Sequence, residues 1–169
     1  MSQGDKEELA AWQIAPLADL VRHLVGKCHL ECREDMARLE TLVELTVLGE
    51  AKPQRPFLEI RELIEKFCRE MRAHLTLEEH QLFPRLLGLE PGEDLSGFQD
   101  LEALRKLLEG DHEAEASLLR SIRSLTGSLA TPEEPDSQMG RIHACITILS
   151  QRLQKHLYLE NQILFPRTR

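Results

Sequence analysis

Two segments of this chain, HLTLEEHQLFPR at 74–85 and HLYLENQILFPR at 156–167, share the pattern H-L-x-L-E-x-x-x-L-F-P-R at a constant offset of 82 residues. Each sets a His four positions before a Glu: His74 with Glu78, and His156 with Glu160. Residues i and i+4 stack on one face of a helix, so each pair points one way. A further His precedes each pair: His29 lies 45 residues before His74, and His112 lies 44 before His156. Turned inward, the six side chains offer four imidazoles and two carboxylates. That set suits two metal ions, with the carboxylates bridging and two His terminal to each. Neutral imidazole with carboxylate favours Fe, Mn or Zn over the ions chosen by thiolates. One His–Glu pair alone would belong to a solvated helix surface. Two pairs in a duplicated frame of Leu, Ile and Phe do not, because a buried Glu without partner or metal is costly.

The elements that must hold these residues are helices. Leu recurs at three- and four-residue spacing along most of the chain, the amphipathic helix period. Breakers cluster at Gly49–Pro56, Pro84–Gly97 and Thr131–Ser137. They predict helices over roughly 16–49, 57–87, 97–129 and 136–165. Four similar helices with short connections predict an all-α, up-down-up-down four-helix bundle, here with an internal two-fold pseudo-repeat. Pro16 suits a first helical turn. Pro84 and Pro166 are expected to kink or end their helices. Residues 1–12 read as a flexible leader, with Trp12 packing it onto a bundle domain over 13–169.

Composition narrows the functions. The 169 residues carry 21 Lys and Arg against 29 Asp and Glu, a net charge of −8. So acidic a balance argues against nucleic acid and against a basic membrane-surface helix. No stretch approaches a membrane span, and the polar start resembles no secretory signal, so the expected location is cytoplasmic. Cys28, Cys32, Cys68 and Cys145 fall mostly within helical patterns and read as reduced thiols. Cys68 and Cys145 read as core. Cys32, three residues after His29, reads as a small buried residue, with an extra ligand or redox thiol as the alternative. His23, His80 and His143 read as non-ligands. Tyr158 falls on the face opposite His156. Glu31, Glu79, Asp111, Glu113 and Glu115 read mostly as solvated, though any of them could accept the free ring N–H of a ligand His. No nucleophile–base triad, phosphate loop or zinc-type Cys pair is present.

The layout H…H-x-x-x-E…H…H-x-x-x-E with trailing L-F-P resembles the hemerythrin-like (HHE cation-binding) domain from about residue 16 to 167. Within that superfamily the segments APLADL, CHLECRE and DHEA are most similar to the di-iron domain of the repair-of-iron-centres family. The resemblance implies His29, His74, Glu78, His112, His156 and Glu160 as ligands of two Fe ions, bridged by the carboxylates and an oxo or hydroxo group. It implies a role with NO, O2, peroxide or iron in nitrosative and oxidative stress, and iron–sulfur proteins as partners. A diatomic-gas or iron sensor without turnover is the alternative. Oxygen-carrying members have a fifth His where this chain has Ala116. That difference suits a site where small molecules react or are sensed rather than carried. The repair proteins also carry a small N-terminal cysteine-pair domain. The leader is too short for it, so a function needing that domain would need a partner chain.

Overall fold

The computed structural model describes residues 9–49, 55–88, 99–130 and 137–168. The expected breakers at Pro53, Pro91, Gly92, Gly97, Pro132 and Pro135, and leader residues 1–8, lie outside those ranges.

All described elements are helical. Helix α1 (residues 17–49) joins Leu17–His23, a π-helical stretch Leu24–His29, and Leu30–Gly49. Helix α2 (residues 55–87) joins Arg55–Leu77, a π-helical stretch Glu78–Leu82, and Phe83–Leu87. Helix α3 is the unbroken Gln99–Leu129. Helix α4 (residues 138–164) joins Gln138–Tyr158 to a π-helical stretch Leu159–Leu164, closed by a 3₁₀ turn Pro166–Thr168. The Ser137 hydroxyl caps α4 by accepting from the Gly140 N–H at 3.1 Å, satisfying one donor that the first turn leaves open. Pro16 stands just before α1 rather than in its first turn, with ψ near 140°.

The two repeat prolines behave differently. Pro84 does not end α2, because helix continues to Leu87. A proline ring clashes with the carbonyl four residues back. The π-helical turn just before Pro84 widens the backbone there. Pro166 stands where α4 gives way to the closing 3₁₀ turn.

Helices α1 and α4, α4 and α3, α3 and α2, and α2 and α1 pack against one another, closing a bundle. The apolar core falls into two clusters. One includes Met36, Leu39, Phe67, Met71, Ile122 and Leu149. The other includes Leu20, Leu24, Phe83, Leu108, Leu164 and Phe165. Along α1 the chain meets the second cluster, then His29, then the first. Along α2 the order reverses around His74 and Glu78, and it alternates again through α3 and α4. The His and Glu residues thus occupy a polar layer between two apolar ones. Near the start of the described chain, Leu9 is buried. The Trp12 ring packs tilted against His23, with 4.4 Å between ring centres, and the Arg167 guanidinium donates to the Trp12 carbonyl at 2.9 Å. Cys28 packs against the second cluster, and Cys28, Cys32, Cys68 and Cys145 are all in the reduced, thiol form. The last three sit in the first apolar cluster.

Candidate metal centre

The four helices bring all six sequence-predicted residues into the middle layer. His29, His74, His112 and His156 are at most 3% exposed, and Glu78 and Glu160 are wholly buried. Their donor atoms form two groups that share both carboxylates. His29, Glu78, His156 and Glu160 make one group; His74, Glu78, His112 and Glu160 make the other. Within each group the atoms lie within 4.8 Å of one another. The i,i+4 pairs sit at 3.1 Å for His74 Nε2 to Glu78 Oε1 and 3.0 Å for His156 Nε2 to Glu160 Oε1. Across helices, His29 Nε2 lies 3.4 Å from Glu78 Oε2, and His112 Nε2 lies 3.3 Å from Glu160 Oε2.

These separations are short, yet they are not directed hydrogen bonds. All four oxygens of Glu78 and Glu160, and Nε2 of His29 and His156, are buried without a hydrogen-bond partner. Buried polar atoms are nearly always paired, so six converging orphans need an explanation. A metal pair fits them. Two donors each about 2.1 Å from one ion and at right angles stand about 3.0 Å apart. Aligned lone pairs then face the ion rather than each other.

The protein alone already separates charge in this layer. Burial lowers the His29 pKa, but Glu160 and Glu78 outweigh it and push it up to about 10. Burial likewise opposes the charge on His112, and the same carboxylates push it up to about 11. Burial and the Glu160 charge raise the Glu78 carboxyl, but His112, His29 and His74 hold it down at about 2. Glu160 is held well below its ordinary range against its burial, chiefly by His156 and His112.

A surrounding set of side chains orients the rings. Glu79 Oε1 accepts from His29 Nδ1 at 2.7 Å, and Arg33 clamps Glu79 with two bonds at 2.7 and 3.2 Å. Asn161 Oδ1 accepts from His112 Nδ1 at 2.9 Å. Such contacts fix which ring nitrogen faces inward. The trailing Phe of each repeat covers the same rings. Phe83 lies 5.6 Å from His29, and Phe165 stacks on His112 at 5.8 Å. The π-helical stretches begin or end at the site, with His29 closing one, Glu78 opening another and Glu160 inside the third. Widened turns of this kind recur at functional positions.

His80 is exposed and bonds the Thr76 carbonyl, and His143 bonds Thr126. Tyr158 packs against the second apolar cluster. Of the five acidic residues, Glu79 touches a site His directly. Glu115 is 3% exposed, 3.9 Å from His74 Nδ1, and burial pushes its carboxyl up to about 7. Asp111 stands 3.8 Å from the same nitrogen. Glu31 instead faces Arg152, and Glu113 is exposed. Asn161 and Arg33 are functional candidates that sequence reasoning missed. The repeat itself carried a signal for Asn161, which occupies the register of Glu79.

Comparison with known proteins agrees with this geometry. The hemerythrin HHE cation binding domain model matches residues 20–168, so this chain belongs to the hemerythrin HHE cation-binding family. Among curated proteins, the iron-sulfur cluster repair protein YtfE of Escherichia coli O81 (strain ED1a) is 26% identical over 158 residues, covering 92% of this chain and 68% of its own. YtfE of Cronobacter sakazakii (strain ATCC BAA-894) is 26% identical over 161 residues, covering 92% and 67%. Among the described residues, no helix is long and apolar enough to cross a membrane.

Proposed function

We propose that this protein is a non-haem di-iron protein of stress defence that handles NO, O2 or peroxide, or passes iron to damaged iron–sulfur proteins. His29 and His156 hold one iron, His74 and His112 the other, and Glu78 and Glu160 bridge them. The observation that carries this reading is the set of wholly buried Glu78 and Glu160 oxygens that converge on four imidazoles without a hydrogen bond. The similarity to iron-sulfur cluster repair proteins supports the repair side of it.

An iron pair in this layer supplies one-electron redox steps and Lewis acidity toward a small ligand. The chain supplies the rest. Glu79 and Asn161 hold the Nδ1 protons of His29 and His112, so Nε2 is the nitrogen that each ring turns inward, where that of His112 meets His74 Nε2 at 3.1 Å. The apolar clusters above and below keep bulk water from the layer. A cleft of about 290 Å³ reaches His156 past Lys27, Cys28 and Arg152 and gives a small molecule a way in.

The test is anaerobic loading with ferrous iron, metal quantification, then titration with NO and with an apo iron–sulfur acceptor. We expect an iron pair per chain, loss of it in His74→Ala and in His156→Ala, and either consumption of NO or reactivation of the acceptor. Folded protein that takes up no iron overturns the reading. Reversible NO binding without turnover or transfer points instead to a sensor.

A further inference from the structure

The pseudo-repeat is not symmetric around the site. Glu79 and Asn161 share one register position in the two copies, and each holds the Nδ1 of the His from the preceding helix. One acceptor is a carboxylate and the other is an amide. The next register position differs as well. Arg33 follows His29 by four residues and clamps Glu79. Ala116 follows His112 by four and has no polar side chain to offer.

The two acceptors do different things to an imidazole. Both fix its orientation. A carboxylate at 2.7 Å also draws the Nδ1 proton strongly and makes the opposite nitrogen a more basic donor. An amide oxygen at 2.9 Å does this weakly. Neither of the remaining rings has a hydrogen bond at Nδ1. His156 Nδ1 is buried without a hydrogen-bond partner. His74 Nδ1 faces Asp111 and Glu115 at 3.8 and 3.9 Å, beyond hydrogen-bond reach. Among the described residues, Glu79 is therefore the only carboxylate in direct hydrogen-bond contact with a ring Nδ1 of the four site histidines.

From this juxtaposition we infer that Glu79 and Asn161 are positioning residues that make the two metal positions unequal: the iron held by His29 and His156 is retained, and the iron held by His74 and His112 leaves first. The inference rests on the di-iron reading above and adds an order of release to it. A protein that gives up one iron while keeping the other retains the bridging carboxylates in place between transfers.

Protein loaded anaerobically with ferrous iron is mixed with excess ferrous chelator, and release is followed in time. Wild type is expected to lose its iron in two phases of equal amplitude. Glu79→Gln speeds the slow phase about tenfold to a hundredfold, the usual reach of such outer contacts, and leaves the fast phase alone. Asn161→Asp slows the fast phase, which a merely structural role for Asn161 would not do. Mössbauer spectra of the ferrous protein are expected to show two doublets that converge in Asn161→Asp. Thermal melts of the metal-free variants separate these effects from misfolding. An iron pair that leaves in a single phase, or variants that move the opposite phase, overturns the inference alone. Failure to bind a pair overturns the di-iron reading with it.

Discussion

At the scale of single residues, the middle layer is a balance of buried charges. Glu115 sits at its edge, 3.9 Å from His74 Nδ1 but with its Oε2 buried without a hydrogen-bond partner, and its position is costly when ionised. Its carboxyl rises from 4.5 to about 7, chiefly through burial. The folded state therefore keeps the proton longer than the unfolded chain. Stability from this group is greatest below about 4.5, falls as pH climbs to about 7, and is level above that. Glu115→Gln is expected to stabilise the metal-free protein at pH 8, by on the order of 3 kcal/mol, and to have little effect at pH 4. Urea unfolding at the two pH values measures this, and equal shifts at both would count against it. Six residues of the layer were legible in the sequence because i,i+4 spacing and duplication are local facts. Arg33 was not, because its partner Glu79 lies 46 residues away on another helix.

At the scale of elements, each repeat carries its own cover. Phe83 belongs to the second apolar cluster and also lies over the His29 ring. Phe83→Ala is expected to cost about 3–5 kcal/mol through lost burial and the cavity left behind. Leu87→Ala, one turn later on the same helix but 46% exposed, is expected to stay within about 0.5 kcal/mol. Chemical denaturation of both variants checks the contrast. Period and punctuation predicted the four helices well, since amphipathic spacing is written in every turn. They could not predict the π-helical stretches. The widened turn over Glu78–Leu82 leaves no mark in the apolar period, and Pro84 after it continues the helix instead of closing it.

At the scale of the whole molecule, the proposed metal pair ties together four helices whose ligands span residues 29 to 160. Binding that occurs only in the fold stabilises it by mass action, about 4 kcal/mol when free metal is a thousandfold above its dissociation constant. Loaded protein is thus expected to melt well above the chelated form, with a midpoint that rises with added iron. Scanning calorimetry at graded iron checks it, and a midpoint indifferent to iron and chelator would be the contrary result. Metal must also displace protons. His29 and His112 are raised to about 10 and about 11 in the metal-free protein, against their burial, by Glu160 and Glu78. Both carry a proton at neutral pH, so iron uptake releases protons and apparent affinity grows as pH rises. Proton release in weak buffer measures it directly.

What the amino-acid sequence determined by itself is local and repetitive: helices from their period, His–Glu pairs from their i,i+4 spacing, and two halves from the 82-residue offset. Those features need only one turn of backbone to be meaningful. The tertiary structure alone decided how these side chains divide. It set His29 beside His156, and His74 beside His112, around two shared carboxylates. It also decided that Glu79 and Asn161 each reach back across a helix interface to one ring. Which residues meet across an interface depends on how helix faces pack, and packing is a property of the assembled chain rather than of any segment of it.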